Sequence, residues 1–485
     1  MEYSRPEWVK DAIFYQIFPD RFARVSHDMS RRMYSLEEWN TPPTHTGYKG
    51  GTLHGIRHKL DYLQDLGINA IYLNPIFWST ANHRYHTCDY FHIDPLLGGN
   101  KAFDDLLAEA HGRNIKVVLD GVFNHVGRCF LPFNDLIENG SASVWVDWFH
   151  VLQWPIRPYS SECEPGYACW NNLPALPQLN HNNPYVREFL FKVAEHWLRK
   201  GIDGWRLDAP ECIQTPGFWE EFRVRVKAVN PEAYLVGEIF PEAGEWIDCN
   251  RFDGITNYPL YYALLMFAGH DCFEKKYMQT EMTSISNLLD GKEFSLKLQH
   301  LMKIHSWEAT LSHLNFLENH DVPRFLTIMN GYRPALETAL VLLFTLPGAP
   351  TVYYGSEVGV VGSNDPDCRR TFPPETAWDM TIHNLYKKLI ALRRSHTVLR
   401  TGTVVILGGQ EKAVCYLRRD MLNRKTVLIA VNAHKVSTRL HFEISGLGNW
   451  QWDQILYGRG TICLENKQLT LTLPPRGVLI TGDGE

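Results

Sequence analysis

Gly204-Trp205-Arg206-Leu207-Asp208 is the stretch on which the reading of this chain turns. It is a short apolar strand ending in a carboxylate, and the two-residue period of a strand puts Arg206 and Asp208 on one face. Three segments of the same design accompany it. Asp120-Gly121-Val122-Phe123-Asn124-His125 lies upstream; Gly237-Glu238-Ile239 and Phe316-Leu317-Glu318-Asn319-His320-Asp321 lie downstream. Each follows an apolar run, so each carboxylate falls where a buried strand reaches its exit loop. Carboxylates gathered on such a rim suit a site that protonates a leaving group and steadies a cation-like transition state.

Outward from these segments, short β-branched or aromatic runs alternate with amphipathic helical stretches. Strands are expected over 13–18, 70–74, 117–122, 204–208, 234–238, 254–257, 314–318 and 351–354. Helices are expected between them, over 56–66, 103–113, 186–200 and 216–229. Eight strands with helical crossovers predict a parallel sheet closed as a (β/α)8 TIM barrel. A doubly wound open sheet would need a Gly-rich phosphate loop after an early strand, and none is present. Between His125 and Pro184 the rhythm fails, and Trp, Pro, Asn and Cys accumulate; this is an insertion after strand three, of the kind that walls a cleft. From Gly402 on, short alternating strands such as 404–407, 414–417, 427–431 and 469–473 predict an antiparallel β-sandwich. The expected division is a barrel over 1–125 and 184–395, an inserted domain over 126–183 and a C-terminal domain over 396–485.

Composition narrows the function. The chain of 485 residues is 45% hydrophobic with a net charge of −6, which gives real cores and no basic face for nucleic acid. The most apolar segment, around 340–346, is interrupted by Pro347 and Pro350 and is too short to span a bilayer. The opening residues Met1 to Pro6 lack a basic head and apolar stretch, so no secretory signal is read and a cytoplasmic location is expected. The ten cysteines show no zinc-like pairs and are expected to be reduced and structural, although Cys163 and Cys169 could close a small loop.

Breaking a glycosidic bond takes two carboxyl groups with opposite tasks, one protonated and one ionised. The guanidinium of Arg206 would keep Asp208 ionised. Glu238 ends the apolar run Tyr234-Leu235-Val236-Gly237, where desolvation raises its pKa and suits it to be the acid. A buried Arg–Asp bridge and a strand-end Glu of purely structural use would look the same at any one segment; the agreement of four argues for chemistry. In order, the four segments resemble those of the α-amylase superfamily of retaining glycoside hydrolases. Leu176-Pro177-Gln178-Leu179-Asn180, with Asp208-Ala209-Pro210-Glu211, resembles the cyclomaltodextrinase, neopullulanase and maltogenic amylase branch, including cyanobacterial debranching enzymes.

That resemblance implies cleavage of α-1,4 or α-1,6 bonds in maltooligosaccharides, branched dextrins or cyclodextrins, with no cofactor. Asp208 matches the nucleophile, Glu238 the acid/base and Asp321 the third carboxylate, which grips sugar hydroxyls. Arg206 matches the arginine beside the nucleophile, and Asp120 supports the cluster. His125 and His320 match histidines that hydrogen-bond the sugar, and Tyr90 the ring that stacks on it. Asp365 and Arg369 resemble a clamp for the next glucose. Glu211 and Phe240 lie just past the nucleophile and the acid, towards the leaving glucose. A transglycosylase or glucosyl isomerase would use the same residues; a non-enzymatic sugar-binding relative would lack part of the triad. Trp145, Trp148, Trp154 and Trp170 fit sugar platforms and core packing equally well.

Three positions depart from the family. Strand one starts near Met1, so the extra N-terminal sandwich used for dimerisation is not expected, and any oligomer would form by another route. Cys212 stands where calcium-dependent α-amylases carry a calcium-binding histidine, so no metal site is expected although Asn124 matches one ligand. Phe240 replaces the usual Trp and leaves more room beside the acid.

Overall fold

The computed structural model describes residues 5–25, 35–160, 163–248, 251–277, 279–280, 283–285, 287–423, 425–444 and 454–482; most of the N-terminal hexapeptide read for a signal lies outside them. Eight strands form one sheet: β1 (Phe14–Ile17), β2 (Ala70–Leu73), β3 (Lys116–Gly121), β4 (Gly204–Leu207), β5 (Tyr234–Gly237), β6 (Gly254–Ile255), β7 (Leu314–Asn315) and β8 (Ala349–Tyr353). Their order is β7-β8-β1-β2-β3-β4-β5-β6, so sequence neighbours lie side by side as a TIM barrel requires. The four residues of β4 are all buried, as are those of β1, β2 and β5, which is why these strands read as continuous apolar runs. Gly204 is needed because a Cβ there would meet the carbonyl oxygen of Tyr234 on β5 at 2.3 Å.

Helices form where the 3.6-residue period and the caps agree. The long helix Pro184–Lys200 starts with the Asn183 side chain accepting from the Tyr185 N–H, has Pro at its first position, and stops at left-handed Gly201. The single helix expected over 56–66 is instead two, Leu53–His58 and Leu60–Leu66, because Lys59 leaves helical geometry (φ −98°, ψ 4°).

The chain folds as two compact units. One comprises Met1–Glu7, Phe14–Ile239 and Glu245–Thr256 and carries β1 to β6; the other comprises Trp8–Ile13, Phe240–Gly244 and Asn257–Glu485. In the first unit the insertion after β3 holds an α-helix, Leu131–Asn139, and isolated bridges pairing His125 with Gln178, Phe149 with Leu179 and Cys169 with Pro177. Its interior is aromatic, with Phe133 at 4.9 Å from both Phe149 and Tyr167. In the second unit, residues from 403 on form an antiparallel five-stranded sheet and a three-stranded one. Leu417, Leu428, Leu440, Leu471 and Leu479 are buried together between them, and their alternation along the sequence is the strand pattern that was legible.

One segment went unforeseen. Phe77–Ser79 pairs antiparallel with Thr87–Ile93, and Cys88 on the second strand is disulfide-bonded to Cys129, with Cα atoms 5.0 Å apart. The expectation that every cysteine is reduced is therefore corrected. The pairing follows from the Gly127 N–H, which donates to the Thr87 carbonyl at 2.8 Å and lays the two segments side by side. Cys163 and Cys169 remain free thiols.

Titration of the denatured protein should find at least two fewer thiols before reduction than after it, from the Cys88–Cys129 bond. Cys129→Ser should lower stability by about 2–4 kcal/mol in chemical denaturation under oxidising conditions. Equal thiol counts before and after reduction, or an unchanged midpoint, would show that the bond does not form or does not stabilise.

Candidate active site

At the exit of β4, Arg206 is the centre of the first unit's polar cluster. Its Nη1 lies 2.9 Å from Asp120 Oδ1 and 2.9 Å from Asp208 Oδ1, and its Nη2 contacts Glu238 Oε1. All four side chains are buried, with Asp208 8% and Glu238 6% exposed. Around Asp120 the network continues: the hydroxyls of Tyr72 (2.7 Å) and Tyr85 (3.0 Å) both donate to its Oδ2. Asn74 donates to the Tyr85 oxygen and Gln16 to Asn74, each at 3.1 Å. Hydrogen bonds thus run unbroken across the ends of β1 to β5.

One cation faces three carboxyl groups, so the cluster favours keeping one proton. Burial pushes Glu238 above the ordinary carboxyl range, opposed by Arg206, while the nearby Asp120 charge adds to the rise. Burial raises Asp120 too, against Arg206 and its two phenols. Asp120 accepts from three side chains, Arg206, Tyr72 and Tyr85, whereas Glu238 accepts from Arg206 and the Ala209 N–H, so a proton fits better on Glu238. The next residue after Asp208, Ala209, is left-handed (φ 40°, ψ 47°), a strained turn for a residue with a Cβ. It aims the Ala209 N–H at Glu238 Oε2, 3.1 Å away. Glu211 is half-buried, and burial together with the Glu238 charge raises its pKa.

His125 ends β3's exit segment. Its Nε2 is buried with no hydrogen-bond partner, and burial lowers its pKa to about 3, so it is a neutral ring with one free polar atom for a ligand. The half-buried ring of Trp170 lies 5.4 Å from it. The reading of Tyr90 as a sugar-stacking ring is corrected. Tyr90 is fully buried among Phe77, Phe123, Phe130 and Phe189, and its hydroxyl donates to the Val122 carbonyl at 2.6 Å. Tyr85, five residues earlier, joins the Asp120 network instead and was missed. Its signal was an aromatic among polar neighbours, Asn82-His83-Arg84-Tyr85-His86, in the loop that follows β2.

The family's calcium finds no fitting donor set. Asn124 Oδ1, the one matching oxygen, accepts from Gln178 Nε2 at 3.1 Å, and the same nitrogen reaches the Cys212 carbonyl at 3.4 Å. The Gln178 amide thus ties the insertion to the exit loops of β3 and β4 by N–H donors. Among the described residues no group of three His, Cys, Asp or Glu side chains could hold a metal.

In the second unit Asp321 follows β7. Its backbone N–H donates to Asn319 Oδ1 at 2.8 Å, and His320 Nε2 lies 3.3 Å from its Oδ2. Arg369 Nη2 is 3.5 Å from Asp321 Oδ1, and Nη1 is 3.0 Å from Asp365 Oδ1. Glu318, buried beneath, pairs with Arg324 at 3.0 Å. Phe240 is half-buried and its ring stacks on Tyr258, with centroids 4.1 Å apart.

Comparison with known proteins identifies the family. Residues 16–379 match the family described as alpha amylase, catalytic domain. A debranching enzyme from Nostoc punctiforme is similar at 45% identity and a TM-score of 0.92, over 100% of both chains. A cyclomaltodextrinase from Geobacillus thermopakistaniensis is 37% identical over 99% of this chain and 78% of its own. An intracellular maltogenic amylase from Bacillus subtilis is 35% identical over 82% of this chain and 64% of its own.

Two tests follow from this geometry. Tyr85→Phe should lower kcat/KM at least about tenfold with an unchanged melting temperature, whereas Tyr90→Phe should mainly cost about 1–2 kcal/mol of stability; the reverse pattern would reinstate Tyr90. EDTA should leave the melting temperature unchanged, and Gln178→Ala should lower it; a fall on chelation that calcium restores would show a cation at the Asn124 position.

Proposed function

The chain belongs to the α-amylase family of glycoside hydrolases, enzymes of α-glucans, and we propose that it cleaves maltooligosaccharides, branched dextrins or cyclodextrins with net retention, α-1,6 bonds among those cut. The observation that carries this reading is the Arg206 cluster, with one buried cation against Asp120, Asp208 and Glu238.

In the first step Glu238 gives its proton to the glycosidic oxygen while the Asp208 carboxylate attacks the anomeric carbon. The C–O bond to the leaving sugar breaks and an ester to Asp208 forms. Glu238, now ionised, takes a proton from water, whose oxygen displaces Asp208 and restores the α configuration. Arg206 holds Asp208 ionised and in line. It also stabilises the Glu238 charge left between the two steps, so its position serves both. His125 Nε2 and His320 supply donors to the sugar, and Asp321 binds its hydroxyls. Asp365 with Arg369 holds the next glucose, and Glu211 with Phe240 bounds the leaving side.

Cleavage of α-1,6 bonds draws support from the debranching relative and from the insertion, whose wall disfavours long chains running through. A cytoplasmic location draws support from the intracellular relative; it requires the Cys88 and Cys129 sulfurs to be thiols in the cell and to pair on oxidation.

Asp208→Asn should leave less than about a thousandth of the wild-type rate with the fold intact, since an amide cannot form the ester. NMR of fresh product should show the α anomer, and an early β anomer would end the retaining mechanism. A branched maltooligosaccharide should release linear chains. Fast internal cutting of long amylose with no debranching would leave an ordinary α-amylase activity in its place.

A further inference from the structure

We infer that Arg369 is a positioning residue for Asp321, holding that carboxylate in its working orientation even when no sugar lies at Asp365. The inference rests on the proposed glycosidase reading and gives Arg369 a task separate from gripping the next glucose.

The guanidinium has three fixed partners. Nη1 meets Asp365, Nη2 meets Asp321, and Nε donates to the His320 carbonyl at 2.8 Å. The Nε bond sets the plane of the fork, and with it the direction of Nη2. Exposure separates the two carboxylates: Asp321 is 21% exposed and Asp365 42%, against 11% for Arg369. Charge attraction is therefore screened less on the Asp321 side. Asp365 makes the shorter contact, 3.0 Å against 3.5 Å, but it is the more exposed partner.

The segment that carries Arg369 is itself anchored under the Asp321 loop. Arg324 donates from Nε to the Cys368 carbonyl and from Nη1 to the Tyr354 carbonyl, both at 2.8 Å, while its backbone N–H donates to the Gly362 carbonyl at 2.9 Å. The Cys368 thiol donates to the same His320 carbonyl at 3.3 Å. Arg324 in turn is buried on Glu318, three residues before Asp321. Residues 318–324 and 362–370 are thus tied into one piece, and none of these ties involves Asp365. A clamp for one glucose would need no such anchorage to the loop of another carboxylate.

The test uses the full-length protein and α-glucosyl fluoride, a single glucose that fills the cleavage position and leaves the Asp365 position empty. Arg369→Gln should lower kcat on this substrate about tenfold more than Asp365→Asn does, with KM moving less than about threefold, and Arg369→Lys should recover part of the loss. On maltotriose, which reaches Asp365, both variants should lose activity. Should the Gln variant melt below the assay temperature, Arg369→Lys takes its place in the same comparison with Asp365→Asn. Equal losses from the Arg369 and Asp365 variants on α-glucosyl fluoride would overturn the inference and leave the functional reading intact. A wild-type protein that does not hydrolyse α-glucosyl fluoride would overturn both.

Discussion

Everything in the first unit's site depends on one guanidinium buried among three carboxyl groups. Taking Arg206 out of water costs several kcal/mol, and the cost is offset only because Asp120, Asp208 and Glu238 surround it. The arrangement also fixes the protonation pattern. With a single positive charge available, full ionisation of all three carboxyls is disfavoured, and burial lifts Glu238. On the proposed mechanism, a nucleophile and an acid arise from the same residue type by position alone. The period of β4 places Arg206 and Asp208 on one face, and the left-handed turn at Ala209 supplies Glu238 with a backbone donor. Removing Arg206 would leave buried carboxylates without a counter-ion, so the same side chain serves folding and chemistry.

The second unit solves the same problem separately. Asp321 sits on a loop whose base is the buried Glu318–Arg324 pair, and its carboxylate faces Arg369. In both units carboxylates lie at or just past a strand end, and an arginine contacts them. The insertion follows another rule. It has little regular structure, and it is held to the strand exits by neutral groups, with the Gln178 amide bridging Asn124 and Cys212. Amide donors make that tie without a charge to desolvate.

Much of this was legible because strands buried on both faces leave a strong trace. All eight barrel strands lie where apolar runs predicted them, and their carboxylates stand at the exits because the segments end there. Tyr90 was misread because position within a motif says nothing about which way a ring points. In the strand Thr87–Ile93 the fully buried positions are 87, 90 and 93, and Tyr90 takes the inward one. Tyr85 escaped notice because its role depends on Asp120, 35 residues away, which no local pattern reveals. The Cys88–Cys129 pairing is of the same kind: 41 residues separate the two, and the Gly127 N–H on the Thr87 carbonyl lays their segments side by side.

The central claim is that Asp208 attacks the sugar while Glu238 supplies the proton. Its most direct test is trapping with 5-fluoro-α-glucosyl fluoride, whose ring fluorine slows release of the glycosyl-enzyme, followed by mass spectrometry of the digested protein. The account predicts a single sugar adduct, located on Asp208. An adduct on Glu238 or Asp321, or turnover of the reagent to a β product with no adduct at all, would contradict it.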